Sequence, residues 1–119
     1  TLTLGLSYAG RNEIVRAARA LARETAQGKI RAADITEELF SSRLDTAGIP
    51  DPDLVIRTSG ELRVSNFLLW QSAYAEFVFT EVLWPDFGKP EFLHALEEYS
   101  RRHRRFGLTG EPDGSPPAI

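Results

Sequence analysis

The 119 residues include no cysteine and no methionine. Without cysteine there are no disulfides and no thiolate metal sites, and the redox compartment stays undetermined, although a reducing cytoplasm is compatible with it. Basic charge is not in excess: 14 Lys and Arg face 17 Asp and Glu, a formal net charge of −3. That balance disfavours a general nucleic-acid binder, whose domains are normally basic. No apolar run approaches the ~20 residues that cross a bilayer, and the opening residues do not read as a signal peptide. The missing methionine, with a strand-like pattern beginning at Thr1, leads us to expect a truncated or incompletely represented chain, with initiator removal as the alternative. What remains is ordinary: 42% hydrophobic and 26% charged residues describe a globular chain of one domain or part of one.

Along the chain, Leu2, Leu4, Leu6 and Tyr8 alternate with small or polar residues, the period of a strand. After the turn at Ala9-Gly10, the period lengthens. Ile14, Val15, Ala18, Leu21 and Ala22 make a helical stripe ending near Gly28. A shorter helix is expected with Asp34 as its N-cap and Ile35, Leu39 and Phe40 on it. The stretch 45–53, with Gly48, Pro50 and Pro52, reads as loop. Leu54-Val55-Ile56 then suits a strand buried on both faces. Leu68 to Ala75 reads as a short helix, Phe77-Val78-Phe79 as a second buried strand, and Trp84 to Phe87 as a rigid connection. Pro90 opens a last helix carrying Phe92, Leu96, Tyr99 and His103. Strands alternating with helices predict an α/β fold, a parallel sheet with flanking helices. The segment from Gly110, with Pro112, Gly114, Pro116 and Pro117, reads as a loose tail.

Open parallel sheets bind ligands beyond the carboxyl ends of their strands. The strand at 54–56 delivers Arg57, Thr58, Ser59, Gly60, Glu61, Arg63 and Ser65 to such an edge. Two guanidinium groups separated by hydroxyl residues and a glycine suit a diphosphate, whose oxygens they bind in pairs. Gly60 would let the loop turn where a side chain would clash. Ser65 and neighbouring amides at the start of the next helix would complete the anion site. Glu76, starting the next strand, would bring a carboxylate near the same edge, a hard ligand for Mg²⁺ shared with phosphates. On spacing alone a second account stays open, in which Arg57 and Arg63 only pair with Asp53, Glu61 or Glu76.

The string DLVIRTSGELRVSNFLLWQSAYAEFVFTEVLWPDF resembles the region shared by undecaprenyl diphosphate synthases and related cis-prenyltransferases. TLGLSYAGRNEI resembles that family's strand-turn-helix segment, and RRHRRFG its basic end motif. The resemblance implies the C-terminal portion of the cis-prenyltransferase fold over residues 1–107 and a flexible tail over 108–119. It implies that Arg57, Arg63 and Ser65 bind the diphosphate of isopentenyl diphosphate and that Glu76 is associated with Mg²⁺ near a dimer interface. It implies further an isoprenyl transferase that condenses isopentenyl diphosphate with an allylic diphosphate such as farnesyl diphosphate. The protein would be a cytoplasmic homodimer, without nucleic acid, touching membrane only peripherally through its lipid product.

Two departures stand out. The family's Asn-Tyr-Gly-Gly-Arg reads Ser7-Tyr8-Ala9-Gly10-Arg11 here, and the family's catalytic aspartate with its Gly-Asn-Gly-Arg loop has no counterpart. That aspartate is expected before Thr1, and the chain by itself is expected to be inactive. A non-catalytic subunit or scaffold of the same fold is the alternative, and the retention of Arg57, Arg63, Ser65 and Glu76 argues against it. Asn66, Trp70 and Tyr8 read as shaping and packing residues. Arg11 reads as structural, and Glu61 as an arginine's partner rather than a metal ligand. His94 and His103 read as surface or packing groups. Trp70, Phe77, Phe79 and Trp84 read as core or interface. For the arginine run at 101–105, a solvated helix end and a phosphate contact across a dimer both remain.

Overall fold

The computed structural model describes residues 1–102. Two compact units form: Thr1–Asp51 with Val64–Ala73, and Pro52–Arg63 with the chain from Tyr74 onward.

Helix α1, Gly10–Ala26, organises the first unit. Its N-cap, Ala9, offers no side-chain acceptor, and the amide of Gly10 donates instead to the carbonyl of Asn66 at 2.7 Å. At the far end Gly28, with φ +70°, closes the helix: its amide reaches Thr25 and that of Lys29 reaches Glu24. This left-handed C-terminal closure is where glycine is cheapest. The buried line of α1 is Gly10, Glu13, Ala17 and Leu21, which shares Leu21 with the expected stripe but runs through Glu13 and Ala17 in place of Ile14 and Ala18. Val15 and Ala18 face outward.

Helix α2, Glu37–Ser41, lies against α1. Thr36 caps it by accepting from the Leu39 amide, not Asp34, which ends a 3₁₀ turn at Ala32–Asp34. Trp70 packs on Phe40 with ring centroids 4.5 Å apart and donates through Nε1 to Ser41. Arg43 forks onto Glu24 with two bonds of 2.8 Å.

The second unit holds the sheet. β1, Leu54–Arg57, and β2, Glu76–Phe79, pair in parallel, Leu54 against Glu76 and Arg57 against Phe79. With two strands among the described residues, β1 is half-buried rather than buried on both faces, and Val78 is its partner strand's buried position. A 3₁₀ turn at Trp84–Asp86, with Trp84 stacked on Phe87, leads into α3, Lys89–Ser100. Pro90 sits in its first turn and Glu91 reaches back to the Gly88 amide. Ala95 is the buried residue of α3, while Phe92 and Leu96 are exposed. His103 and the tail lie outside the described residues.

Two expected elements do not form. Residues 1–8 are irregular, with Leu2, Leu4 and Leu6 exposed. A strand needs a partner for its amides and carbonyls; none pairs with this segment among the described residues, and Ser7 turns left-handed at φ 53°. Residues 68–74 are successive turns rather than a helix. Leu68 has φ +46°, and its carbonyl accepts from both the Ser72 amide and the Ser72 hydroxyl.

A Cβ placed on Gly10 would lie 2.9 Å from Leu69 Cγ and 3.0 Å from the Asn66 carbonyl oxygen. Gly10→Ala should therefore destabilise the protein by about 1–3 kcal/mol, the usual cost of overpacking. Thermal unfolding checks it, and an unchanged Tm would show that this contact is looser than the structure has it.

Candidate functional site

Arg57 ends β1 at the sheet's carboxyl edge, half-buried. Beyond it the chain makes a tight loop through Ser59 (φ 66°) and Gly60 (φ 66°). Their amides are already used, donating at 2.9 Å to the carbonyls of Val82 and Thr80. The loop following β1 is thereby stitched to the segment following β2. A Cβ on Gly60 would meet nothing within 4 Å, so glycine is favoured there by its left-handed φ and not, as the sequence suggests, by lack of room.

Arg63 extends from this loop, its side chain 77% exposed, and pairs with Glu61 at 2.9 Å. An ion pair so open to water contributes on the order of 1 kcal/mol or less. Glu61 is thus a weak competitor for any ligand with more than one negative oxygen. Ser65 belongs to the first unit, where it is exposed. The segment after it is turns, so no helix N-terminus stands ready for an anion there.

Glu76 is not where the sequence suggests. Because the strands are parallel and Glu76 pairs with Leu54, it lies at the sheet's amino end, three residues or roughly 10 Å along the strand from Arg57's end. Its carboxylate accepts from Arg102 Nη1 at 3.1 Å; the same nitrogen donates to the Phe77 carbonyl at 2.5 Å, and Nη2 bonds Glu98. Pairing with Glu76 and then Glu98 raises the guanidinium's pKa further and keeps it charged. Among the described residues, no cluster of three or more His, Asp or Glu could hold a metal. Glu76 offers one hard oxygen ligand, already paired, and within its unit it does not fit an ion shared with a diphosphate on Arg57.

Arg102 is therefore a structural tie between α3 and β2, and Arg101 is exposed; residues 103–105 of the basic run lie outside the described residues. His94 is exposed on α3, and Trp84 is 73% exposed rather than core.

The least expected group is Glu13, 1% exposed. Its Oε1 accepts from the Asp45 amide at 2.7 Å and from Gln71 Nε2 at 3.1 Å; its Oε2 accepts from Gln71 at 3.2 Å and from the Tyr8 hydroxyl. Gln71 also donates to Thr46 at 2.9 Å. A buried charge is tolerable only when so thoroughly bonded. Burial first, then the hydrogen bond to Glu13, pushes the Tyr8 phenol up to about 12. The signal for Glu13 was its spacing: it falls on the line Gly10, Ala17, Leu21, where an apolar residue would be usual.

The undecaprenyl diphosphate synthase model of the prenyltransferases matches residues 1–107. The chain is 55% identical over 111 residues to an isoprenyl transferase of Agrobacterium fabrum, covering 93% of this chain and 45% of the relative. It is 57% identical over 106 residues to an isoprenyl transferase of Bacillus subtilis, covering 89% and 41%. Among solved structures, lavandulyl diphosphate synthase from Lavandula x intermedia, in complex with dimethylallyl diphosphate, superposes with TM-score 0.83 at 47% identity, over 86% of this chain and 44% of that one. A probable undecaprenyl diphosphate synthase from Campylobacter jejuni gives 0.70 at 39%, over 86% and 45%. The α/β fold is thus shared with these synthases, and the chain spans just under half the length of the relatives it matches.

A folded-state pKa raised above the phenol's usual value of about 10 means the fold favours the neutral hydroxyl. That stability is complete below pH ~10 and is lost as pH rises toward ~12. Tyr8→Phe, which has no proton to lose, should flatten this alkaline decline while lowering stability at neutral pH. Denaturant unfolding of both forms from pH 7 to 11 tests it; parallel curves would show that Tyr8 is not held by Glu13.

Proposed function

We propose, on the premise that this chain belongs to the undecaprenyl diphosphate synthase family of prenyltransferases, that it holds the diphosphate of isopentenyl diphosphate during cis-prenyl chain elongation. In this reaction the double bond of isopentenyl diphosphate attacks the allylic carbon of a second diphosphate such as farnesyl diphosphate. A carbon–carbon bond forms, the allylic carbon–oxygen bond breaks, diphosphate departs, and a proton leaves the isopentenyl unit. The observation that carries the reading is the loop at the carboxyl end of β1. It bears two guanidinium groups, Arg57 and Arg63, and among the described residues the second is paired with Glu61 in an exposed ion pair that is cheaply exchanged. Ser65 is the third ligand in this reading, and its hydroxyl would bond a phosphate oxygen.

The part of these residues is binding and orientation: a nucleophile held by its diphosphate approaches the allylic carbon in a productive geometry. Mg²⁺, when bound, would neutralise diphosphate charge. Glu76 is the residue that the family resemblance nominates for it, but its place beside Arg102 supports no step through the ion. The relatives are about twice as long, and the allylic half of the site is read as lying outside these 119 residues, which alone would not turn over substrate.

We read the protein as a cytoplasmic homodimer. Phe79, Leu83, Trp84, Phe92, Leu93 and Leu96 of the second unit are all exposed, and apolar side chains left facing water mark an interface where they are contiguous. Sedimentation at micromolar concentration should show a dimer, and Trp84→Glu should weaken it; a monomer throughout that range would count against this reading.

The diphosphate reading is tested by calorimetric titration with isopentenyl diphosphate. Arg57→Ala and Arg63→Ala each remove a charge-assisted hydrogen bond worth about 1.5–3 kcal/mol, so affinity should fall roughly ten- to a hundredfold. Lysine should rescue only in part, since it lacks the planar fork. Unaltered affinity with a depressed Tm would mean that the arginines form a structural pair and not a substrate clamp.

A further inference from the structure

We propose that Asn66 is a positioning residue for the diphosphate: by gripping the first two amides of α1, it fixes the turn that presents the Ser65 hydroxyl. The inference rests on the reading of Ser65 as a diphosphate ligand. The Phe67 amide donates to the Val64 carbonyl at 3.2 Å, closing a four-residue turn around Ser65 and Asn66. Both central residues have positive φ, 52° and 61°, the mark of a type I′ turn. Such turns are dominated by glycine, asparagine and aspartate. Asn66 conforms; Ser65 does not, and a serine held left-handed needs surroundings that over-determine it.

Those surroundings are visible. The Asn66 main-chain carbonyl accepts from the Gly10 amide at 2.7 Å, and its side-chain Oδ1 accepts from the Arg11 amide at 2.8 Å. One residue thus satisfies two of the donors that a helix leaves unpaired at its start. The close approach depends on Gly10, whose missing Cβ would stand 3.0 Å from that carbonyl oxygen. Further along, Phe67 meets Tyr8 edge-on at 5.7 Å between ring centroids, and Gln71 is bonded to Glu13. The segment 64–71 is therefore fastened to the start of α1 at both ends, and Ser65 lies in its exposed part, the stretch 64–67.

The test is the size of the Ser65→Ala effect on the dissociation constant for isopentenyl diphosphate, measured calorimetrically in three backgrounds. In the parent protein, loss of a hydroxyl bonded to a charged ligand should weaken binding about tenfold. In Asn66→Asp, which keeps an acceptor and tolerates positive φ, the same tenfold effect should persist, whatever the added charge does to overall affinity. In Asn66→Gly, which keeps the φ but loses Oδ1, the turn is released and the effect should fall below about twofold. If the glycine variant does not fold, Asn66→Ser, too short to reach the Arg11 amide, takes its place. An equal Ser65→Ala effect in all backgrounds overturns the proposal. So does no effect in any of them; in that case a surviving Arg57→Ala defect leaves the diphosphate reading intact, whereas its absence removes both.

Discussion

The first unit depends on one buried negative charge. Glu13 sits inside the turn of α1 where packing would ordinarily demand a methyl-bearing side chain, and four hydrogen bonds from three partners compensate for its removal from water. Each partner comes from a different stretch: Tyr8 from before the helix, Asp45 from the loop after α2, and Gln71 from the turns beyond. Asp45 in turn accepts two bonds from Arg16, one helical turn past Asn12. A charge with this many fixed donors is a better locator than an apolar contact, because unsatisfied members of such a network are costly and every alternative register leaves some. The helix, the loop and the turn segment have one mutual arrangement for that reason.

The second unit is organised differently, by backbone. Parallel pairing of β1 with β2 determines which side chains share an end of the sheet, and the amides of Ser59 and Gly60 extend the pairing into the loops. Arg57 emerges where the ladder stops. At the opposite end, Arg102 ties the last turn of α3 to the start of β2 through a carboxylate and a carbonyl. One end is thus spent on internal bonds, while the other ends in a solvent-facing loop with an easily displaced ion pair.

Much of this was legible in the residues. The period change at Gly10, the apolar triplet Leu54-Val55-Ile56 and the Pro90 start each announced its element, since each is a local preference that the fold does not oppose. The strand expected at 1–8 was not legible as irregular, because alternation reports a face to be buried and not whether a partner strand exists. The helix expected after Leu68 does not start because Ser65, Asn66 and Leu68 all take positive φ, a backbone choice that apolar spacing does not report. For the site, residue types were readable and placement was not. Glu76 follows Arg57 closely in sequence, yet parallel register sends it to the far end of the sheet. Residue type alone points Glu13 outward, because a carboxylate in a first turn ordinarily means a solvated helix start.

The bonds that join Gln71 and Asn66 to α1 link positions 58 and 55 apart in sequence, and the intervening residues 52–63 belong to the other unit. The first unit is therefore discontinuous along the chain. Helix α1 can form early from local contacts, but Glu13 stays without Gln71, and the Arg11 amide without Asn66, until the polypeptide has been made well past β1. Ring closure over such spans loses chain entropy before any contact compensates for it, and contacts of high sequence separation slow folding. On a ribosome, α1 must wait with a half-satisfied carboxylate until that later segment emerges. The order of synthesis thus places the completion of the first unit after the first strand of the second.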